Sequence, residues 1–214
     1  MPSRAQERRP YDATGRRAQA EATRERILAT ARDLFVERGY AGTSVADIAK
    51  AAGVSTPTVF AGFKSKVNLL KLAVETSLVG DVESTPLHER TEMRDVHAGA
   101  TAEEVLTRLA AFMVLRGPAV TPIFMVMYAA ADADPAIAEL ADTLDGHRLA
   151  GAEQLAATVA DRLGDVSAAR RNEIRDTIWT LNSPHLYYLL VRQRGWTPER
   201  YGDWIRTAFL ALIA

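Results

Sequence analysis

The chain has 214 residues, 48% apolar and 25% charged, with a net charge of −1 and no cysteine. That length buries a sizeable core in one or two domains, and the absence of cysteine excludes a disulfide framework and a thiolate metal site. The near-neutral total conceals an asymmetry: residues 1–75 carry 13 Lys+Arg against 8 Asp+Glu, and residues 76–214 carry 13 against 19. A basic front and an acidic rear point to two jobs, the front suited to a polyanion.

Residues 1–20 hold five arginines (Arg4, Arg8, Arg9, Arg16, Arg17) and almost no large apolar side chain except Tyr11. Such a segment buries too little to order itself, so a disordered basic arm is expected. It serves either solubility or contact with phosphates or a minor groove. The N-terminal stretch lacks the apolar core of a secretory signal. No run of about 18 apolar residues signals a membrane span, so a cytoplasmic protein without a membrane partner is expected.

Helices follow. From Ala22 to Arg38, Ile27, Leu28, Ala31, Leu34 and Phe35 form one stripe of a 3.6-residue repeat. Thr23 is the expected N-cap, and Gly39 ends the helix. Thr43 or Ser44 caps a short helix to Ala52, with Asp47 in capping-box spacing from Ser44. Gly53 ends that helix. Ser55 caps the next, whose first turn holds Pro57, over about Thr56–Gly62. Ser65 caps a fourth, Lys66 to about Leu78. Residues 80–100 are polar and poorly periodic and read as a long connection with at most one helical turn. Further helices are expected at Ala102–Arg116, Pro118–Ala131, Pro135–Leu163, Ala168–Leu181, Pro184–Arg194 and Pro198–Ile213, several opened by a cap followed by proline. The fold class is all-α.

Thr43–Lys66 reads TSVADIAKAAGVSTPTVFAGFKSK. Two short helices across a Gly-containing turn, braced by the Ile27–Phe35 stripe, have the pattern of a helix-turn-helix. The second helix offers Thr56 and Thr58 at its start, where small hydroxyl and methyl groups reach base edges in a major groove. Thr43, Ser44 and Ser55 stand at helix starts that suit phosphate oxygens. Lys64 and Lys66 would add salt-dependent affinity.

The run RERILATARDLFVERGYAGTSVADIAKAAGVS, then TPTVF, then Phe63, Ser65 and Lys66, resembles the tetracycline-repressor (TetR) family over about 50 residues. The resemblance implies base or phosphate contacts at Thr43, Ser44, Ser55, Thr56, Thr58 and Lys66, with Phe63 turned inward; Pro57, Phe60, Ala61 and Lys64 complete the expected DNA-binding set. Two positions depart from the family's usual pattern. Phe60 stands where a tyrosine is common, so it keeps a ring but has no hydroxyl for a phosphate. Gly62 stands where histidine or tyrosine is common. The resemblance further implies an N-terminal three-helix helix-turn-helix DNA-binding domain (residues 21–72) and a C-terminal helical ligand-binding and dimerisation domain (residues 73–214).

In the rear half, aromatic and thioether side chains suggest a pocket lined by Phe112, Met125, Tyr128, His147, Trp179, Tyr187 and Tyr188. An aromatic stripe at helical spacing is more often plain core. Trp204, Ile205, Ala208, Phe209 and Leu212 form a stripe on the last helix. A dimer face is expected there; packing within one subunit is the other reading. The four histidines are scattered without ligand spacing, and no nucleophile–base motif stands out, so no enzyme, cofactor or metal is expected.

The expectation is a homodimeric repressor on a palindromic double-stranded operator, released by a small-molecule effector. One rival is a DNA-binding regulator without a ligand. Another is an enzyme or carrier that borrowed the head.

Overall fold

A computed structural model describes residues 13–79 and 91–214. The described residues are helical with no strand. The elements are α1 (Ala13–Arg38), α2 (Val45–Ala51), α3 (Thr56–Phe63), α4 (Lys66–Val79), α5 (Thr91–His97), α6 (Ala102–Ala131), α7 (Pro135–Leu163), α8 (Ala168–Leu181) and α9 (Pro184–Tyr187). A π-helical stretch (Tyr188–Gln193) follows, then α10 (Pro198–Leu210).

The stripe on α1 is the brace it was expected to be: Ile27, Leu28, Ala31, Leu34 and Phe35 are all buried, with Ile48, Val59 and Phe63 packed on them. Ser44, Ser55, Asp134, Ser183 and Thr197 each cap a helix by accepting a backbone N–H. Ser65 does the same for Asn68 at 3.1 Å. Gly39 and Gly53 sit at φ 73° and 66°, where a side chain would be strained, and so end α1 and turn the chain between α2 and α3.

Several expectations are corrected. Thr23 is not a cap; it lies inside α1 and its hydroxyl donates to the Gln19 carbonyl at 2.8 Å. The helix begins at Ala13, so residues 13–20, expected as part of a disordered arm, are helical: their Ala, Arg and Gln residues favour it. Residues 1–12 lie outside the described residues. In the polar connection, α5 forms where one turn at most was expected, burying Met93 and Val96; residues 80–90 are outside the described residues. The break expected at Gly117–Pro118 does not occur, and α6 runs through Pro118 and Pro122. Each proline forfeits one intrahelical bond, but the packing of α4, α7 and α10 along the helix holds it. By length and composition α6 could cross a membrane, against the expectation of no such segment. It is instead the central helix, packed by α4, α5, α7 and α10.

Two apolar clusters fill the interior. One joins α1–α4 to Val120, Ile123, Phe124 and Met127 of α6 and to Ile137, Leu140, Ala141 and Leu144 of α7. The other joins α5, α8, α9 and α10 to the first half of α6 and the second half of α7. The head is therefore cored on the body. The boundary drawn after residue 72 falls inside α4, which continues unbroken to Val79.

Candidate nucleic-acid interface and effector cleft

α3 presents Pro57, Thr58, Phe60, Ala61 and Gly62 to solvent, while Val59 and Phe63 are buried. Ser55 is exposed at its N-cap, and Thr56 is half-buried. The Ser55 and Thr58 hydroxyls lie 2.7 Å apart, and Ser55 Oγ also accepts from the Thr58 N–H at 3.2 Å. This fixes both side chains at the leading end of the helix. Phe60 is 47% exposed, an apolar ring held in water with nothing covering its outer face. A Cβ built on Gly62 meets nothing within 4 Å, so the end of α3 is open.

Lys64 follows at φ 65°, ψ −46°, and the Ser65 N–H reaches the Phe63 carbonyl at 2.7 Å. That is a γ-turn of the rare, strained sign, on an exposed lysine at the end of α3.

Two basic residues hold this surface in shape, and the sequence reading did not single them out. Arg24 Nη1 donates to the Gly62 carbonyl at 3.2 Å, and its guanidinium stands over the Phe63 ring at 4.8 Å. Arg26 Nε donates to the Ala52 carbonyl at 3.0 Å. Each clamps the carbonyl end of a short helix, where a cation is favoured. Both residues are plain in the sequence, but their partners are not.

Three of the expected contacts are placed differently. Thr43 is 1% exposed and its hydroxyl faces the Leu34 and Gly39 carbonyls at 3.1 and 2.9 Å. It is an internal strut, so its side chain is withdrawn as a DNA contact. Ser44 is exposed, but its N–H and hydroxyl both turn to Asp47 Oδ2, at 3.1 and 2.5 Å. Those bonds hold the Asp47 carboxyl below its ordinary range, so a phosphate arriving there meets a carboxylate first. Lys66 is half-buried with its ammonium 4.0 Å over the Tyr40 ring. Partial burial lowers its pKa, against the pull of the Asp134 charge. It faces the body and is corrected from a DNA contact to part of the head–body joint.

Tyr40 is the centre of that joint. Its hydroxyl donates to Asp134 Oδ2 at 3.5 Å, and its ring stacks on Phe35 at 5.8 Å. Burial, then the Asp134 charge and hydrogen bond, raise its pKa. Beside it a cleft of about 660 Å³ opens between residues 36–41 of the head and α6, the α6–α7 turn and the π-helical stretch of the body.

Of the seven residues expected to line one effector pocket, Met125 and Tyr188 border this cleft. The other five are corrected from members of a shared pocket. Tyr187 is 4% exposed; its ring fills the space left by Gly117 and meets the Tyr201 ring edge-on at 5.0 Å. Phe112 packs against the second apolar cluster. Tyr128 donates to Asp145 at 2.7 Å and lies 4.6 Å from the His185 ring; burial first, then Asp145, raises its pKa far above the ordinary value. Asp145 in turn pairs with Arg148 at 2.8 Å, whose Nη2 reaches the Trp179 and Asn182 carbonyls at 3.0 and 3.1 Å. That chain ties α6 and α7 to the end of α8. Trp179 is 36% exposed, and His147 is exposed. Helical periodicity showed which side chains are large and apolar, and could not tell filled core from wall.

On α10, Ile205 and Phe209 are fully buried and Leu212 nearly so, against α6 and α8 of the same chain. These three are corrected from dimer contacts to intrasubunit core. Trp204 is 36% exposed, edge-on to Trp196 at 6.2 Å, and Ala208 is half-buried. Among the described residues no group of three or more His, Asp or Glu is placed to hold a metal.

Residues 27–73 match the family described as bacterial regulatory proteins, tetR family. The match lies in the helix-turn-helix head, from α1 into α4. A 67-residue stretch is 39% identical to the HTH-type transcriptional regulator AcrR of Shigella flexneri, and spans 30% of this chain and 31% of that protein. The whole fold is similar to a TerR/AcrR-family transcriptional regulator from Aquifex aeolicus VF5, with a TM-score of 0.64 at 21% identity over 90% of this chain and 99% of that one. It is also similar to the TetR-family regulator PfmR of Thermus thermophilus, with a TM-score of 0.57 at 23% identity over 88% and 94%. The family match lies in the head, and over the rest of the chain the likeness to these structures is one of fold.

Proposed function

We propose that this chain is a homodimeric repressor that binds a two-fold symmetric DNA operator and is released by a small-molecule effector. The observation that carries the DNA-binding part is α3: a capped, clamped helix with Thr58, Phe60 and Ala61 exposed together on a TetR-family head. Thr58 and Ser55 supply hydroxyls for base edges or phosphates. Phe60 and Ala61 supply apolar contact for a thymine methyl or a sugar. Thr56 and Pro57 complete the leading turn, and Lys64 meets the backbone as a cation.

In this reading two such helices enter successive major grooves about 34 Å apart, in the cytoplasm where the DNA lies. The dimer is built from the outward sides of α8 and α10, with Trp204 and Ala208 at its centre and the buried stripe behind them supporting the helix. An effector that binds better when the two heads are mis-spaced lowers operator affinity by that difference in affinity.

Selection of duplexes from a random pool by the purified chain tests this. A two-fold symmetric site should be enriched, and its affinity should fall steeply with salt. Absence of enrichment at every salt concentration would contradict the proposal.

A further inference from the structure

The head–body cleft takes no part in the DNA-reading surface, and its two walls belong to the two halves of the molecule. Its body wall is apolar, built from Pro122, Met125, Val126 and Ala129 of α6, and Tyr40 and Tyr188 add an aromatic ring from the head and from the body. Arg38 comes from the head and Arg192 from the body. The volume of about 660 Å³ lies within the roughly 300–1,000 Å³ of small-molecule sites.

We propose that this cleft binds a small amphipathic anion, an aromatic or aliphatic carboxylate, with its apolar body on α6 and its charge toward Arg38 and Arg192. The inference rests on the regulator reading above and gives its effector a place and a chemical class.

Charge selects the anion. Asp134, the carboxylate among the cleft residues, is already engaged: it accepts from Tyr40 and from the Ala136 N–H that it caps at 3.0 Å. Arg38 lies 3.6 Å from Glu37 with its side chain 47% exposed. Arg192 is exposed and pairs with no carboxylate among the described residues. Guanidinium groups favour planar carboxylates by two parallel hydrogen bonds. The backbone gives an independent sign. Tyr188 and Arg192 both stand on the π-helical stretch, a local departure from α geometry that recurs at functional sites.

The site also reaches the DNA-reading parts. Tyr40 sits between Asp134 of the body and Lys66, the first residue of α4, which follows α3 after a two-residue link. An occupant that displaces the Tyr40 ring shifts the contact on which the head rests. A ligand bound more tightly in one head position biases the equilibrium toward it.

The test uses 1-naphthoate against its neutral analogue 1-naphthamide, with binding followed calorimetrically on the full chain. The expected result is saturable binding of the naphthoate, with a preference over the amide of at least about tenfold. Arg192→Gln, at an exposed position, should remove that preference. Met125→Trp, which fills the cleft from the body side, should weaken both probes about tenfold. No naphthoate binding at millimolar probe, equal binding of the amide, or binding untouched by both variants would overturn the site. Selection of DNA by the same preparation separates the two failures. A chain that selects a symmetric duplex but takes no naphthoate overturns the cleft alone, and one that takes naphthoate but selects no DNA overturns the regulator reading alone.

Discussion

Lys64 carries two opposed effects in one residue. Its backbone is held at positive φ in a strained γ-turn, and its exposed ammonium sits beside α3 where a phosphate would pass. Glycine adopts that φ without penalty. Lys64→Gly should therefore raise stability in denaturant titration by about 1 kcal/mol and weaken DNA binding, lowering the slope of log K against log salt by about one. A variant that loses stability and leaves the salt slope unchanged would place Lys64 away from the DNA. At this scale the sequence identified residue types better than their directions. Ser55 and Thr58 stand where the helix start predicted. Thr43 and Lys66 have suitable chemistry and face the wrong way, because the Leu34 and Gly39 carbonyls and the Tyr40 ring, remote partners invisible to local spacing, claim them.

Among the elements, α5 meets α7 through a side-chain hydrogen bond, His97 Nδ1 to Thr158 Oγ1 at 2.8 Å. Burial lowers the His97 pKa below its ordinary 6.5, so the unfolded chain takes up that proton first. The folded state is at no disadvantage from this residue above pH 6.5 and loses stability as pH falls below it. His97→Gln should abolish this part of the pH dependence, measured as the difference between the two chains' unfolding free energies from pH 8 to pH 5. A difference that does not change with pH would contradict the assignment. Element identity was legible where a cap and an apolar stripe agreed, as in α2, α3 and α7. It failed where context overrode local signals. α6 passes two prolines because α4, α7 and α10 pack along it. The π-helical stretch leaves no trace in a periodic pattern. On α10 the stripe was plain, but periodicity says that a face is buried and not against what; α6 and α8 of the same chain take it.

Across the whole molecule, the two apolar clusters share α6 and α7, so a head seated on one end of these helices and a body wrapped round the other form a continuous packed path. The front-to-rear charge asymmetry suggested two jobs but not this shared framework, since composition carries no information on which core a helix joins. In the proposed switch this path links the body to the head, and the Tyr40–Asp134–Lys66 joint is its polar counterpart at the surface. All of this matters to function only if α3 reads sequence. The most direct measurement is the affinity of the full chain for its selected symmetric duplex relative to a scrambled duplex of equal length, at fixed salt. The wild-type chain should prefer the selected duplex by at least about 10³-fold. Thr58→Ala and Phe60→Ala should each lower that ratio while leaving affinity for the scrambled duplex nearly unchanged. A wild-type ratio near one, or a ratio indifferent to both substitutions, would contradict the assignment of α3 as the DNA-reading helix.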